Sequence, residues 1–284
     1  MKNDSLFRKA VITNTILWLF VTTIAPNLLI ILISFTKRDP EQLINFSFTL
    51  ENFSQALSPL FLKVYFNSLK IGIISVVLCL IFGYAYAFIM YREKNKFIKY
   101  FLLIAIIIPF WTSSLIRTYS IIFILKLNGF LNQLLLATGL IDSPLNMLYS
   151  NGAVIFGFVY TLIPFMIIPI FLSLRKIEYS LIESAKDLGA SSTDIFLKII
   201  LPLSSTGVIS GCSMVLLSSL GMFYLSDLLG GSKTVMIGNL IKDQILLNNN
   251  WNLASAISVI LYLIVIFGII FQRENYKINF HVSK

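Results

Sequence analysis

Apolar residues in this chain are gathered into runs rather than scattered. Six runs are long enough to cross a bilayer, which takes about 20 residues each. They extend from about Val11 to Phe35, Ser68 to Met90, Tyr100 to Leu125, Ala153 to Leu174, Thr206 to Leu225 and Leu253 to Phe271. The runs are continuous and not alternating, which predicts helices rather than strands. In lipid, a helix also satisfies its own backbone hydrogen bonds. Lys2, Arg8 and Lys9 precede the first run, as in a signal peptide. That run is too long for an h-region, however, and no small-x-small cleavage site follows it, so it reads as an uncleaved first helix. The outer loops, about Thr36 to Asn67, Lys126 to Gly152 and Ser226 to Asn252, have room for short helices but not for a separate domain. The expectation is an all-α integral membrane protein with about six transmembrane helices.

Composition agrees. Hydrophobic residues make up 57% of the chain and charged residues 12%, against about 25% charged in soluble domains. The net charge of +9 raises nucleic acid as a partner, but its distribution gives another account. Six spans place both termini on one side. That side holds the N-terminal Lys2, Arg8 and Lys9, then Arg92, Lys94, Lys96 and Lys99, then Arg175, Lys176, Lys186 and Lys198, and finally Arg273, Lys277 and Lys284. This is fourteen Lys/Arg against eight elsewhere, and the richer side is cytoplasmic by the positive-inside rule. The basic excess is a topology signal, and no nucleic acid is needed. Every Asp and Glu falls in a loop, a tail or a helix end, which disfavours a proton-coupled carrier with an intramembrane relay. Cys79 and Cys212 lie in apolar runs and His281 in the polar tail. They suggest neither a disulfide framework nor a metal site.

The loop from about Arg175 to Ser205 carries the most specific pattern. Glu183-Ser184-Ala185-Lys186-Asp187-Leu188-Gly189 is followed by Ala190 and, with nine residues between it and the glycine, by Ile199-Ile200-Leu201-Pro202. Helix physics reads this as helix, turn, helix. Ser180 and Glu183 offer a capping box. Leu181, Ala185 and Leu188 share a face, and Gly189 suits the left-handed position that ends a helix. Ser191 and Asp194 offer a second capping box, and Pro202 breaks the chain before the fifth span.

The spacing resembles the Glu-Ala-Ala loop of ABC-importer permeases, with Glu183, Ala185, Gly189, Ile199, Leu201 and Pro202 matching and Ser184 replacing the first alanine. The resemblance implies a type I importer permease fold in which this loop forms a cytoplasmic coupling helix docked on an ATPase. Glu183, Ala185, Asp187, Leu188, Gly189 and Ala190 are its candidate contacts. Gly230-Gly231-Ser232-Lys233-Thr234 lacks the order of a P-loop, so ATP and Mg are expected on a partner ATPase, with no cofactor and no catalytic residue in this chain.

A narrower resemblance rests on Pro109-Phe110-Trp111-Thr112-Ser113-Ser114-Leu115-Ile116-Arg117, on Asn128-Gly129-Phe130-Leu131-Asn132 and on Gly221-Met222-Phe223-Tyr224-Leu225-Ser226-Asp227-Leu228-Leu229-Gly230-Gly231. These stretches look like the B-type permease subunit of spermidine/putrescine importers. Residues 1–284 would then be a single permease domain, with a core of about 64–272 and the coupling loop at about 175–205. It would lie in the bacterial cytoplasmic (inner) membrane. The implied partners are a second, C-type permease forming a heterodimer, an ABC ATPase dimer, an extracytoplasmic polyamine-binding protein and the lipid bilayer. Candidate substrate-path residues are Trp111, Thr112 and Ser113 beside the Pro109 break, and Phe223, Tyr224 and Asp227 at the outer end of span five. A carboxylate and aromatic faces suit an ammonium chain. Kinked packing helices and an aromatic belt are the plainer reading of the same residues. Permeases for ferric ion, sulfate or an opine share the coupling loop and stay open as alternatives, as does a membrane-embedded enzyme, for which no intramembrane catalytic group is found.

Overall fold

Helix dominates the computed structural model, which describes residues 2–38 and 45–281. The one departure from all-α is a short antiparallel ribbon, β1 (Thr36–Lys37) with β2 (Asn45–Phe48). Lys284, counted with the basic tail, lies outside the described residues. By contacts the chain forms two units, Met1–Lys63 with Leu240–Lys284, and Val64–Asn239.

In the first unit, α1 (Lys2–Leu19) runs through a π turn (Phe20–Ile24) into α2 (Ala25–Ser34). Pro26 has no N–H to continue the ladder, and the wider turn before it absorbs the missing bond. α2 and the short α3 (Glu51–Ala56) pack on the C-terminal helix. The end of α2 is pinned by two buried amides. Asn52 donates to the carbonyls of Ser34 and Thr36, at 3.0 and 2.9 Å, and Asn252 donates to the Thr36 carbonyl and hydroxyl, at 2.9 and 2.7 Å. Phe35 stacks between these elements, 5.5 Å from Phe48 and 4.9 Å from Phe53.

The second unit takes in most of α4 (Pro59–Arg92), then α5 (Lys96–Ile107), a 3-10 turn (Ile108–Trp111), α6 (Ser114–Leu125), α7 (Phe130–Ala137) and α8 (Asn151–Leu174). After these come α9 (Tyr179–Asp187), α10 (Ser192–Ile195), a π turn (Phe196–Ile200), α11 (Leu201–Leu203), α12 (Ser205–Gly221), α13 (Phe223–Leu225), a second π turn (Ser226–Gly230) and the start of α14 (Ile237–Leu246). The last helix, α15 (Trp251–His281), belongs to the first unit. α8 is the centre of the second unit. Phe158, Leu162, Met166, Ile170 and Leu174 recur every four residues along it and are fully buried, as one face of a helix must be when it meets a neighbour. That neighbour is α12. A Cβ at Gly207 would come 2.6 Å from the Pro169 carbonyl, and one at Gly211 2.7 Å from the Met166 sulfur. The small-residue face is what lets the two backbones approach.

Among the described residues, five segments are long and apolar enough to cross a membrane: Val11–Ser34, Pro59–Arg92, Ser114–Ala137, Asn151–Leu174 and Trp251–Gly268. A sixth is formed if Ser192–Leu203 and Ser205–Gly221, bent by 60°, count as one span. Several boundaries differ from expectation. α4 begins at Pro59 rather than Ser68. The run from Tyr100 to Leu125 is not one helix: Pro109 divides it into α5 and α6, each of 12 residues. The fifth span stops at Gly221 rather than Leu225, because Met222 leaves helical geometry at ψ 74°. The expected break before that span is present, as a bend at Ser204 whose hydroxyl meets Tyr84 Oη at 2.9 Å.

Candidate functional site

The loop after α8 folds as helix, glycine, helix. α9 ends at Asp187, and Gly189 has φ +82°, the left-handed geometry that glycine tolerates best. Its amide donates to Lys186 and that of Ala190 to Ala185, closing the end of α9. Ser191 then caps α10: the Asp194 amide donates to Ser191 Oγ at 3.1 Å, and the hydroxyl donates to the Asp194 carboxylate. The other expected cap is absent. Glu178 sits at the N-cap of α9 and its side chain accepts from no helix amide; instead Ser180 Oγ donates to its carboxylate at 3.4 Å. The buried face is also rotated from the expected one. Ile182 is buried and Ala185 half-buried, whereas Leu181 is exposed and Leu188 is 88% exposed. Glu183 and Asp187 are exposed and Ala190 half-buried. A hollow of about 280 Å³, lined by Leu188, Gly189, Ala190, Asp194, Ile195, Lys198 and Ile199, opens at this corner.

Asp227 lies in the π turn that follows α13, which packs on α6 and α8. Its carboxylate accepts from the Asn239 side-chain amide. Asn239 is 4% exposed and organises the whole turn. Its amide also donates to the Phe223 carbonyl at 3.2 Å, and its oxygen accepts from Ser226 Oγ at 2.5 Å and from the Met236 amide at 3.0 Å. The Phe223 and Tyr224 rings stand edge to face, 6.5 Å apart, on the short helix just before Asp227. The structure thus brings Phe223, Tyr224 and Asp227 together. Asn239, twelve residues downstream, gave no sequence signal, because a lone asparagine in a polar loop is common.

Trp111, Thr112 and Ser113 form a separate exposed patch at the Pro109 break. Trp111 is 88% exposed, and its ring touches no other described aromatic ring. Thr112 Oγ1 donates to the Pro109 carbonyl at 2.8 Å, so that carbonyl, at the end of the 3-10 turn, is satisfied locally. Phe110, 39% exposed, packs on α8 instead, edge-on to Phe165 at 5.5 Å, with the Arg117 guanidinium 5.8 Å from its centroid. The nearby turn at Asn128–Asn132 is fixed by two residues. A Cβ at Gly129 would fall 2.5 Å from the Ile124 carbonyl. Asn132, fully buried, donates to the Lys126 and Leu145 carbonyls and accepts from the Leu145 amide. Among the described residues, no group of three or more His, Cys, Asp or Glu is placed to hold a metal.

Residues 81–274 match the family described as binding-protein-dependent transport system inner membrane component. The spermidine/putrescine transport system permease protein PotB of Salmonella typhimurium is 40% identical over 284 residues, covering 100% of this chain and 99% of that protein. The protein of the same name from Haemophilus influenzae is 39% identical, covering 96% of each chain. Among solved structures, a bacterial ABC transporter involved in the import of the acidic polysaccharide alginate superposes with a TM-score of 0.77 at 18% identity, over 97% of this chain and 96% of that one.

Proposed function

The chain belongs to the family of binding-protein-dependent transport system inner membrane components, and from that membership we propose that it is the permease subunit of an ATP-driven importer of spermidine and putrescine. The observation that carries the substrate is the 40% identity to a spermidine/putrescine permease along the whole of both chains. The likeness to the alginate importer carries the fold alone. A shared architecture at 18% identity says nothing of whether the cargo is an anion or a cation.

The chain is a multi-pass inner-membrane transport subunit, not an enzyme. In this reading residues 1–284 act as one permease domain, with a core of about 64–272. The family match supports this by running from Val64–Asn239 on into the segment that starts at Leu240. A C-type permease completes the path, an ABC ATPase dimer binds ATP and Mg, and an extracytoplasmic protein delivers the polyamine. The coupling loop and both termini face the cytoplasm, as the Lys/Arg distribution favours. Glu183, Ala185, Asp187, Leu188, Gly189 and Ala190 meet the ATPase, and the exposed Leu188 beside its hollow suits an apolar docking contact.

A polyamine is a flexible chain of ammonium groups, and leaving its binding protein costs it charge partners. Asp227 offers a carboxylate held in place by Asn239. Phe223 and Tyr224 add ring faces, where a cation gains about 0.5–2 kcal/mol. Trp111, Thr112 and Ser113 offer a further ring and hydroxyls. The test is initial-rate uptake of labelled spermidine and putrescine, with sulfate and ferric ion as alternatives, in cells whose own polyamine importers are deleted. Saturable polyamine uptake supports the reading, and uptake of another solute with none of polyamine would refute it.

A further inference from the structure

Arg117 is a charge that its surroundings do not explain. It sits in the first turn of α6, within the apolar segment Ser114–Ala137, where an ionised side chain is costly. It is half-buried, and its Nε–H is buried with no acceptor. No carboxylate pairs with it among the described residues; its recorded partner is the Phe110 ring. Phe110 in turn stands edge-on to Phe165, which follows Pro164 in α8. The row Arg117, Phe110, Phe165 therefore ties three elements together: α6, the 3-10 turn and α8. That turn needs a tie. Pro109 lacks an N–H, so the α-helical ladder is interrupted there and the residues after it are held only by one short 3-10 turn.

We propose that Arg117 is a positioning residue: it clamps Phe110 against α8 and so sets where Trp111, Thr112 and Ser113 stand. Its importance for transport rests on the reading of that turn as part of the substrate path. A guanidinium suits the task better than an ammonium. It is planar, stacks on ring faces and is more weakly hydrated, so it loses less on leaving water. Trp111 is bonded directly to Phe110, so a displaced Phe110 moves the exposed ring and the hydroxyls after it.

The test uses the assembled importer and a reporter on the turn itself. The Ser113→Cys variant reports its local geometry through the rate of thiol modification, read on the band of this chain. Lys94→Cys, in the loop between α4 and α5, is the remote control. Arg117→Met and Phe110→Ala should each change the Ser113→Cys rate about ten-fold, the size expected for loss of a half-buried cation–ring contact. Neither should alter the Lys94→Cys rate. Arg117→Lys should fall between Met and the parent, and the double variant should add little to either single change, because both break one contact. Spermidine uptake should fall about ten-fold in parallel. An unchanged Ser113→Cys rate in Arg117→Met overturns the clamp, as does an equal change at Lys94→Cys, which would mean general loosening. Should the parent complex take up no polyamine, the substrate reading fails alone and the modification rates still decide the clamp.

Discussion

Asp227 is held in place by the chain itself. Its carboxylate accepts from Asn239, and Asn239 uses its oxygen to satisfy the Met236 amide and Ser226. Charge and scaffold are therefore separable at this site. Asp227→Asn keeps a side-chain oxygen to accept from Asn239 and removes only the charge. Spermidine uptake at sub-saturating substrate should fall ten-fold or more, about 1.4 kcal/mol, while the complex still assembles. Asn239→Leu does the reverse: it leaves the charge and orphans the Met236 N–H, at about 1–3 kcal/mol, so it should lower the yield and melting temperature of the complex. Normal uptake by Asp227→Asn would remove the electrostatic role. Asp227 was legible in the sequence as a carboxylate at the outer end of a span behind two aromatic residues. The clamp on it was not, since the contact forms across twelve residues of irregular chain.

Helix ends and helix crossings give two further expectations at the scale of elements. At Gly189 a larger side chain has room but not the right backbone. Nothing lies within 4 Å of a Cβ built there, so the penalty is conformational: φ +82° disfavours a β-branched residue by about 1–2 kcal/mol. Gly189→Val should uncouple ATP hydrolysis from uptake, and Gly189→Asn, which tolerates the left-handed region, should be milder. Equal, normal uptake by both would dismiss the coupling role. At Gly207 the argument is steric. A single methyl meets the Pro169 carbonyl and Ser173 at 2.6 and 2.7 Å, so Gly207→Ala must push α12 from α8, at about 1–3 kcal/mol. Gly221→Ala meets nothing within 4 Å and serves as control. Melting of the purified complex should separate the two, and equal melting temperatures would show that the α8–α12 approach is loose. Gly207 and Gly211 stand four residues apart in the sequence, a spacing that puts two small residues on one helix face. That spacing does not single out α8 as the partner.

For the whole molecule, orientation is the prediction with most at stake, since a coupling loop on the wrong side meets no ATPase. Lys94→Cys and Lys186→Cys should resist an impermeant thiol reagent on intact cells and react once the membrane is opened, while Lys126→Cys should react from outside. Cys79 is buried and Cys212 half-buried, so the parent chain should give little background. Labelling of the first two from outside would invert the topology.

What the sequence settled by itself were properties that depend on local composition. Continuous apolar runs need lipid and helix, and the spacing around Gly189 places one helix–glycine–helix corner between two spans. Each follows from a few neighbouring residues and survives any packing. Tertiary structure decided matters that depend on which distant groups meet. Pro109 sits in a run apolar enough to read as one span, yet the chain breaks there, and Phe110 packs between Phe165 and Arg117. Ile182 rather than Leu181 faces the core because α9 docks on its neighbours at an angle that its own periodicity does not fix. Met222 ends α12 early, and the turn after it is gathered by Asn239. Local patterns fix where a helix is favourable, whereas its rotation, its breaks and the partners of its polar groups are chosen by the surfaces it must fit.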